Sequence, residues 1–247
     1  MTRRQSVTLL LSLILLPLES VTAEDHQKAV SLEVTVPVRL QYLVYTPPGY
    51  EADDLRERKW PLLLFLHGAG ERGDDIELVK FHGPPKLIDQ GQPFPFVVVS
   101  PQCPKDRWWE PIELMALLDE IEANYRIDAD RIYVTGLSMG GFGTWELAAY
   151  APDRFAAIVP ICGGGEEFWM KRITHVPTWI IHGGQDSGVL PERSQELYDE
   201  LQDRGGNVRL TIAPQTGHLV WTSFYDNPEL YGWLLQQKRK AREAGDP

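Results

Sequence analysis

Two cysteines, Cys103 and Cys162, are all that the 247 residues contain. A disulfide-dense scaffold and a cysteine-rich metal cluster are therefore both excluded. The two lie far apart in sequence, with no metal-ligand spacing, and no metal is expected. Each follows an apolar run that reads as a strand, so a single Cys103–Cys162 bridge stays open, its formation resting on a Cα separation that sequence does not display. Basic residues are also in short supply, 24 Lys and Arg against 35 Asp and Glu, for a net charge of −11. That balance disfavours nucleic acid and anionic membrane as partners. No apolar run reaches the roughly 20 residues that span a bilayer. Internal repeats, low-complexity stretches and Pro/Gly-rich linkers are absent between residues 32 and 240.

What is present begins with a targeting pattern. Arg3 and Arg4 precede a short apolar stretch from Val7 to Leu18, and Val21-Thr22-Ala23 supplies small residues for cleavage. Residues 1–23 read as a signal peptide, giving a mature chain from Glu24 that is secreted or periplasmic and has no stable membrane anchor. Residues 24–247 are expected to form a single domain.

Apolar strands alternate with helical patterns along that domain. Val34 to Tyr45 alternates in a β manner, with Pro37 marking an edge or bulge. Residues 61–66, 96–100, 132–135, 156–161 and 178–181 are near-continuous apolar runs, the pattern of strands buried on both faces. Val208 to Ile212 is more amphipathic and edge-like. Helical spacing occupies 114–125, 138–150, 191–201 and 228–240. This alternation predicts an α/β fold, a mostly parallel sheet with helices on both faces.

The chemistry centres on Gly136-Leu137-Ser138-Met139-Gly140. A strand precedes this Gly-x-Ser-x-Gly and a helix follows it, the setting of a serine held exposed on a sharp strand-to-helix turn. A serine hydroxyl needs a base to take its proton, and the base needs a carboxylate to orient it. Ligands of such sheets bind at the carboxyl ends of the strands. Asp186 falls in the loop after 178–181 and His218 in the loop after 208–212, in the chain order Ser, Asp, His. Ser138 is thus the candidate nucleophile, His218 the general base and then acid, and Asp186 the orienting group. Glu166 or Glu167, after Gly163-Gly164-Gly165, is the alternative carboxylate. His67 and His182 end strands and precede glycine, which suits bracing of a turn. His82 lies on a loop at the rim, and His175 has no carboxylate partner in view.

A developing oxyanion needs donors. The backbone N–H of Met139, after the serine, is one candidate. The other comes from the loop after residues 61–66, with Ala69 expected and Gly70 the alternative. The run Gly68-Ala69-Gly70-Glu71-Arg72-Gly73 lacks the Gly-Lys-Ser/Thr ending of a phosphate loop. Trp108, Trp109 and Trp221 follow strand ends and are expected to line the substrate cleft, as Trp169 would.

The segments Leu66 to Gly73, Gly136 to Gly141 and His182 to Asp186 resemble the α/β-hydrolase superfamily. The likeness covers residues 33–240 and is to its small exported esterases: phospholipase/carboxylesterases, dienelactone hydrolases, and poly(hydroxyalkanoate)-depolymerase or feruloyl-esterase-like proteins, a group also labelled "predicted peptidase". The resemblance implies an α/β-hydrolase fold with no large lid and cofactor-free hydrolysis by Ser138, Asp186 and His218. Its substrate would be a small-molecule or polymer-linked ester. The chain departs from the usual pattern at Asp186-Ser187-Gly188-Val189-Leu190-Pro191, where Leu190 separates a usual Val-Pro pair. A peptidase of prolyl-oligopeptidase likeness and a binding module on a hydrolase fold are the competing readings. Loss of a triad member would favour the latter, and all three are present. Oligomeric state is not legible.

Overall fold

The run Trp60–Leu66 alternates faces as it crosses the centre of a sheet. Leu62, Leu64 and Leu66 enter one core while Leu63 and Phe65 enter the other. Both faces are apolar because both are covered, the condition under which a strand reads as uninterrupted hydrophobic sequence. The computed structural model describes residues 29–35 and 37–239. The expected signal segment, Glu24, His26 and the tail from Lys240 lie outside the described residues.

Seven strands form one sheet: β1 (Gln41–Tyr45), β2 (Trp60–Leu66), β3 (Val97–Gln102), β4 (Ile127–Leu137), β5 (Ala157–Ile161), β6 (Thr178–Gly183) and β7 (Val208–Ala213). Their spatial order is β1-β3-β2-β4-β5-β6-β7. Only β1 runs antiparallel, against β3; the remaining pairs are parallel. Seven helices complete the described fold: α1 (Gly83–Asp89), α2 (Pro111–Asn124), α3 (Met139–Tyr150), α4 (Glu167–Met170), α5 (Glu192–Asp203), α6 (Trp221–Tyr225) and α7 (Pro228–Gln236). Residues of α2, α3 and α5 pack into the core that holds Leu62 and Leu64; residues of α1, α6 and α7 pack into the opposite core. This is the layered α/β architecture expected from the alternation of elements. No described helix is long and apolar enough to cross a membrane.

Differences from the sequence expectation have identifiable causes. The first strand is shorter than 34–45. Gln41 pairs with Gln102, the last residue of β3, so residues before Gln41 have no partner strand to meet. The contacts divide the chain into a unit Met1–Pro37 and a unit Val38–Pro247, and everything that follows concerns the second. The second helix begins three residues earlier than its apolar pattern, with Pro111 at its first turn, where a missing N–H costs nothing. The short helices α1, α4 and α6 were not visible as periodic patterns, because four to seven residues barely complete a turn or two.

Cys103 and Cys162 are free thiols, each buried in a different core, so the bridge left open by the sequence is not formed. The sheet itself separates them.

Candidate active site

Ser138 sits between β4 and α3 with φ 52° and ψ −117°. A positive φ is unfavourable for a residue with a Cβ, at a cost on the order of 1–3 kcal/mol, and it persists only where the surroundings enforce it. They do so here through close backbone approach. Ser138 N–H donates to Ile161 O at 2.9 Å, pinning the turn to β5. A Cβ on Gly140 would lie 1.9 Å from Leu66 O, and one on Gly136 would lie 2.3 Å from Gly140 O. The two glycines flanking the serine are therefore required by the contact of the turn with β2 and with itself.

At that turn a hydrogen-bonded chain runs from Ser138 Oγ to His218 Nε2 at 2.9 Å and from His218 Nδ1 to Asp186 Oδ2 at 2.6 Å. A carboxylate only accepts, so Nδ1 carries the proton and Nε2 is free to accept from the serine hydroxyl. Asp186 is buried, and its Oδ1 accepts from the N–H groups of Gly188 and Val189, both at 2.9 Å. Burial raises its pKa, but the bonds from His218, Val189 and Gly188 outweigh that and hold the carboxyl below the ordinary range. Leu190, which interrupts the usual Val-Pro pair, is 58 % exposed and leaves these bonds intact. Glu166 lies on a separate cleft and Glu167 opens α4. The carboxylate bonded to His218 is that of Asp186.

The other strand-end histidines hold this arrangement in place. His182 Nε2–H donates to Val189 O at 2.9 Å and lies 3.3 Å from Asp186 Oδ2, while its Nδ1 accepts from Ser194 Oγ at 2.6 Å. His67 Nδ1–H donates to Gly68 O at 2.6 Å, and its Nε2 accepts from Cys103 N–H at 2.9 Å. It therefore ties the loop after β2 to the end of β3. His175, for which no partner was visible in sequence, lies 3.2 Å from Asp153 Oδ1.

Burial pushes the fully buried His67 down to about 4 from 6.5, against the opposing pull of its bond to Gly68 O. Between those values the unfolded chain holds a proton that the folded chain does not, so stability falls as pH drops through this window, by about 3 kcal/mol in all. His67→Gln is expected to be less stable at pH 7 and to have a shallower decline in urea midpoint from pH 7 to pH 4. Equal slopes for the two proteins would refute the assignment.

Met139 is the first residue of α3, so its N–H has no intrahelical acceptor. Ala69 opens a short 3-10 turn, Ala69–Glu71, directly after His67-Gly68, and is exposed. This loop lies against the elbow: a Cβ on Gly68 would meet the Leu137 side chain at 2.8 Å and Leu137 O at 3.7 Å. Arg72 Nε–H donates to Ala69 O at 3.0 Å and steadies the turn. Nothing lies within 4 Å of a Cβ built on Gly70.

The three tryptophans expected in the cleft have different fates. Trp108 is 46 % exposed and lines a cleft of about 160 Å³. Trp109 does not line it. It is 3 % exposed, donates from Nε1 to His67 O at 3.2 Å, and packs so closely on Gly143 that a Cβ there would approach its ring to 2.8 Å. Trp221 is 5 % exposed and packs edge-on against the His218 imidazole, with ring centroids 5.2 Å apart, and against His82 at 5.5 Å. It buttresses the base rather than offering a substrate surface. Phe142, Trp169 and Arg193, which the sequence reading did not single out together, share the cleft of Trp108. Only Phe142 carried a signal, standing four residues after Ser138 on the same helix. A larger cleft of about 380 Å³ lies between β1, β3 and α1, and no residue of the Ser138–His218–Asp186 chain lines it.

Ligand-type atoms of Cys162, Asp186 and His218 lie within 4.8 Å of one another, a proximity the sequence spacing did not reveal. Asp186 and His218 use theirs on each other, and burial pushes the Cys162 thiol far up, so a metal ion would have to displace the 2.6 Å bond and deprotonate a buried thiol.

Comparison with known proteins gives matches over much of this region. The family described as "Putative esterase" matches residues 89–184, and the "Prolyl oligopeptidase family" matches residues 167–239. Poly(3-hydroxyalkanoate) depolymerase C of Paucimonas lemoignei is 32% identical over 147 residues, covering 53% of this chain and 33% of that protein. A bifunctional acetylxylan esterase/xylanase of Neocallimastix patriciarum is 30% identical over 156 residues, covering 58% of this chain and 22% of that protein. The chain thus matches a third or less of the length of these curated relatives. Among solved structures, a thermostable esterase superposes with a TM-score of 0.69 at 34% identity, over 81% of this chain and 60% of that one.

Proposed function

We propose, from the chain's membership of the α/β-hydrolase superfamily, that this protein is a serine hydrolase of carboxylic esters. The observation that carries the reading is the continuous Asp186–His218–Ser138 hydrogen-bonded chain ending on a strained serine. Ser138 Oγ attacks the ester carbonyl carbon as its proton passes to His218 Nε2. The carbonyl oxygen, now negative, is met by the N–H groups of Met139 and Ala69. The tetrahedral centre collapses with loss of the alcohol, which takes the proton from Nε2 and leaves an acyl-Ser138 ester. Water, deprotonated by His218, then releases the acid and restores the hydroxyl. Asp186 stays ionised and stabilises the imidazolium between these transfers. No cofactor enters the scheme.

Short-chain and aromatic acyl groups, including those linked to a polymer, are the proposed substrates. The likeness to a polyester depolymerase and to an acetylxylan esterase supports the polymer-linked case. The match of residues 167–239 to the prolyl oligopeptidase family favours peptide amides as a second reading. An amide leaves as a poorer group than an alkoxide and asks more of His218 as acid. Expected kcat/KM is far higher for an acetyl or feruloyl ester than for a prolyl amide on the same protein. Preference for the amide would replace the esterase reading with the peptidase one.

A further inference from the structure

The cleft that holds Trp108 continues along the outer face of α3. Phe142, Glu146, Ala149 and Tyr150 stand at helical spacing i, i+4, i+7 and i+8, so they form one stripe about 12 Å long. The cleft of Trp108 contains Phe142 and Glu146 from this stripe, with Trp169, Glu166 and Arg193. A second cleft, about 140 Å³, shares Glu146 and Trp169 and adds Ala149, Tyr150 and Arg172. The two are therefore successive sections of one groove. Its near end adjoins the proposed nucleophile, since Phe142 N–H donates to Ser138 O at 3.1 Å.

The lining carries specific chemistry. Trp108 and Phe142 meet edge to face, with centroids 6.1 Å apart, and Trp169 supplies a further aromatic surface. Between the rings stand two carboxylates, Glu146 and Glu166, and two guanidiniums, Arg172 and Arg193. Among the described residues neither carboxylate is paired with a cation. Arg193 gives one N–H to Gly165 O at 3.3 Å and Arg172 one to Tyr150 O at 3.4 Å, leaving further donors on each. Acceptors and donors thus alternate with aromatic faces, and the lining is charge-balanced on a chain of net charge −11.

We propose that this groove binds an uncharged oligosaccharide and presents an ester on one of its hydroxyls to Ser138. The proposal rests on the ester-hydrolase reading and names the alcohol side of its substrate. Sugar rings have apolar C–H faces that pack on aromatic rings, and hydroxyls that both donate and accept, matching guanidinium and carboxylate together. A charged polymer would meet equal attraction and repulsion along this lining. A peptide bound as an extra strand would need a free sheet edge, whereas the groove is walled by α3, α4, the first turn of α5 and loops.

The test uses the full chain carrying Ser138→Ala, so that binding is read without turnover. Isothermal titration with xylotetraose and cellotetraose is expected to show saturable binding of at least one. Adding Trp108→Ala or Trp169→Ala should weaken it about tenfold, equivalent to about 1.4 kcal/mol. Trp108 is exposed enough for its removal to leave folding intact, which circular dichroism verifies. No binding of either sugar, or binding unchanged in both tryptophan variants, would overturn the proposal. So would saturable binding of an unstructured polar peptide in place of the sugars. Turnover of a small acetate ester by the wild-type protein reports on the hydrolase reading separately. Sugar binding without such turnover would sink that reading alone, and turnover without sugar binding would sink the groove alone.

Discussion

Ser138→Ala is expected to lower ester turnover about 10⁶-fold, the loss that follows when the nucleophile of such a hydrogen-bonded trio is removed. The fold should persist. Alanine keeps the Cβ that the elbow already accommodates at φ 52°, and only one hydrogen bond, to His218 Nε2, disappears. A change in stability within about 1 kcal/mol is expected for so small a deletion at a half-buried site. The measurements are kcat on a chromogenic acetate ester and the thermal midpoint of the same preparation. Retention of even a tenth of wild-type turnover with an unchanged midpoint would remove Ser138 from the chemistry.

Asp186→Asn should cost about 10⁴-fold in kcat near neutral pH, and the structure supplies the reason. Oδ1 of Asp186 accepts two backbone N–H groups, from Gly188 and Val189. An asparagine must keep its carbonyl oxygen there, because its NH₂ would face two donors. The amide nitrogen then faces His218 Nδ1 and donates to it. Nδ1 becomes an acceptor, the ring proton moves to Nε2, and Nε2 now donates toward Ser138 Oγ instead of accepting from it. The base is present in the wrong tautomer. Full turnover in Asp186→Asn would show that another carboxylate orients His218.

Much of this was legible in the sequence because it is local. Leu62 to Leu66 could only be a strand covered on both sides, and the edge character of β7 was visible in its amphipathic pattern. The Gly-x-Ser-x-Gly turn was legible because strand and helix periodicities change within a few residues of Ser138. Asp186 and His218 followed from topology: in a parallel sheet every strand-end loop opens on the same edge, so the residues of those loops converge.

Adjacent residues show where that logic stops. Trp108 and Trp109 occupy one loop and have the same chemistry, yet one is exposed in the groove and the other is sealed against His67 and Gly143. Cys103 and Cys162 both follow strands, yet the sheet lies between them. Trp221 backs the imidazole of His218, and Trp169 joins Trp108 from a four-residue helix with no periodicity to read.

The sequence by itself determined the order and type of the long elements, the elbow and the three residues that the strand ends bring to one edge. Tertiary structure decided which aromatic faces solvent, which thiols stay apart, and which groups fix the tautomer of each histidine. The physical reason is range. Periodicity and turn chemistry act over a few residues, whereas the contacts that settle these questions join positions 80 apart, as Ser138 and His218 are, or 36 apart, as His67 and Cys103 are. Such pairs meet only when the whole sheet has closed and its faces have been packed.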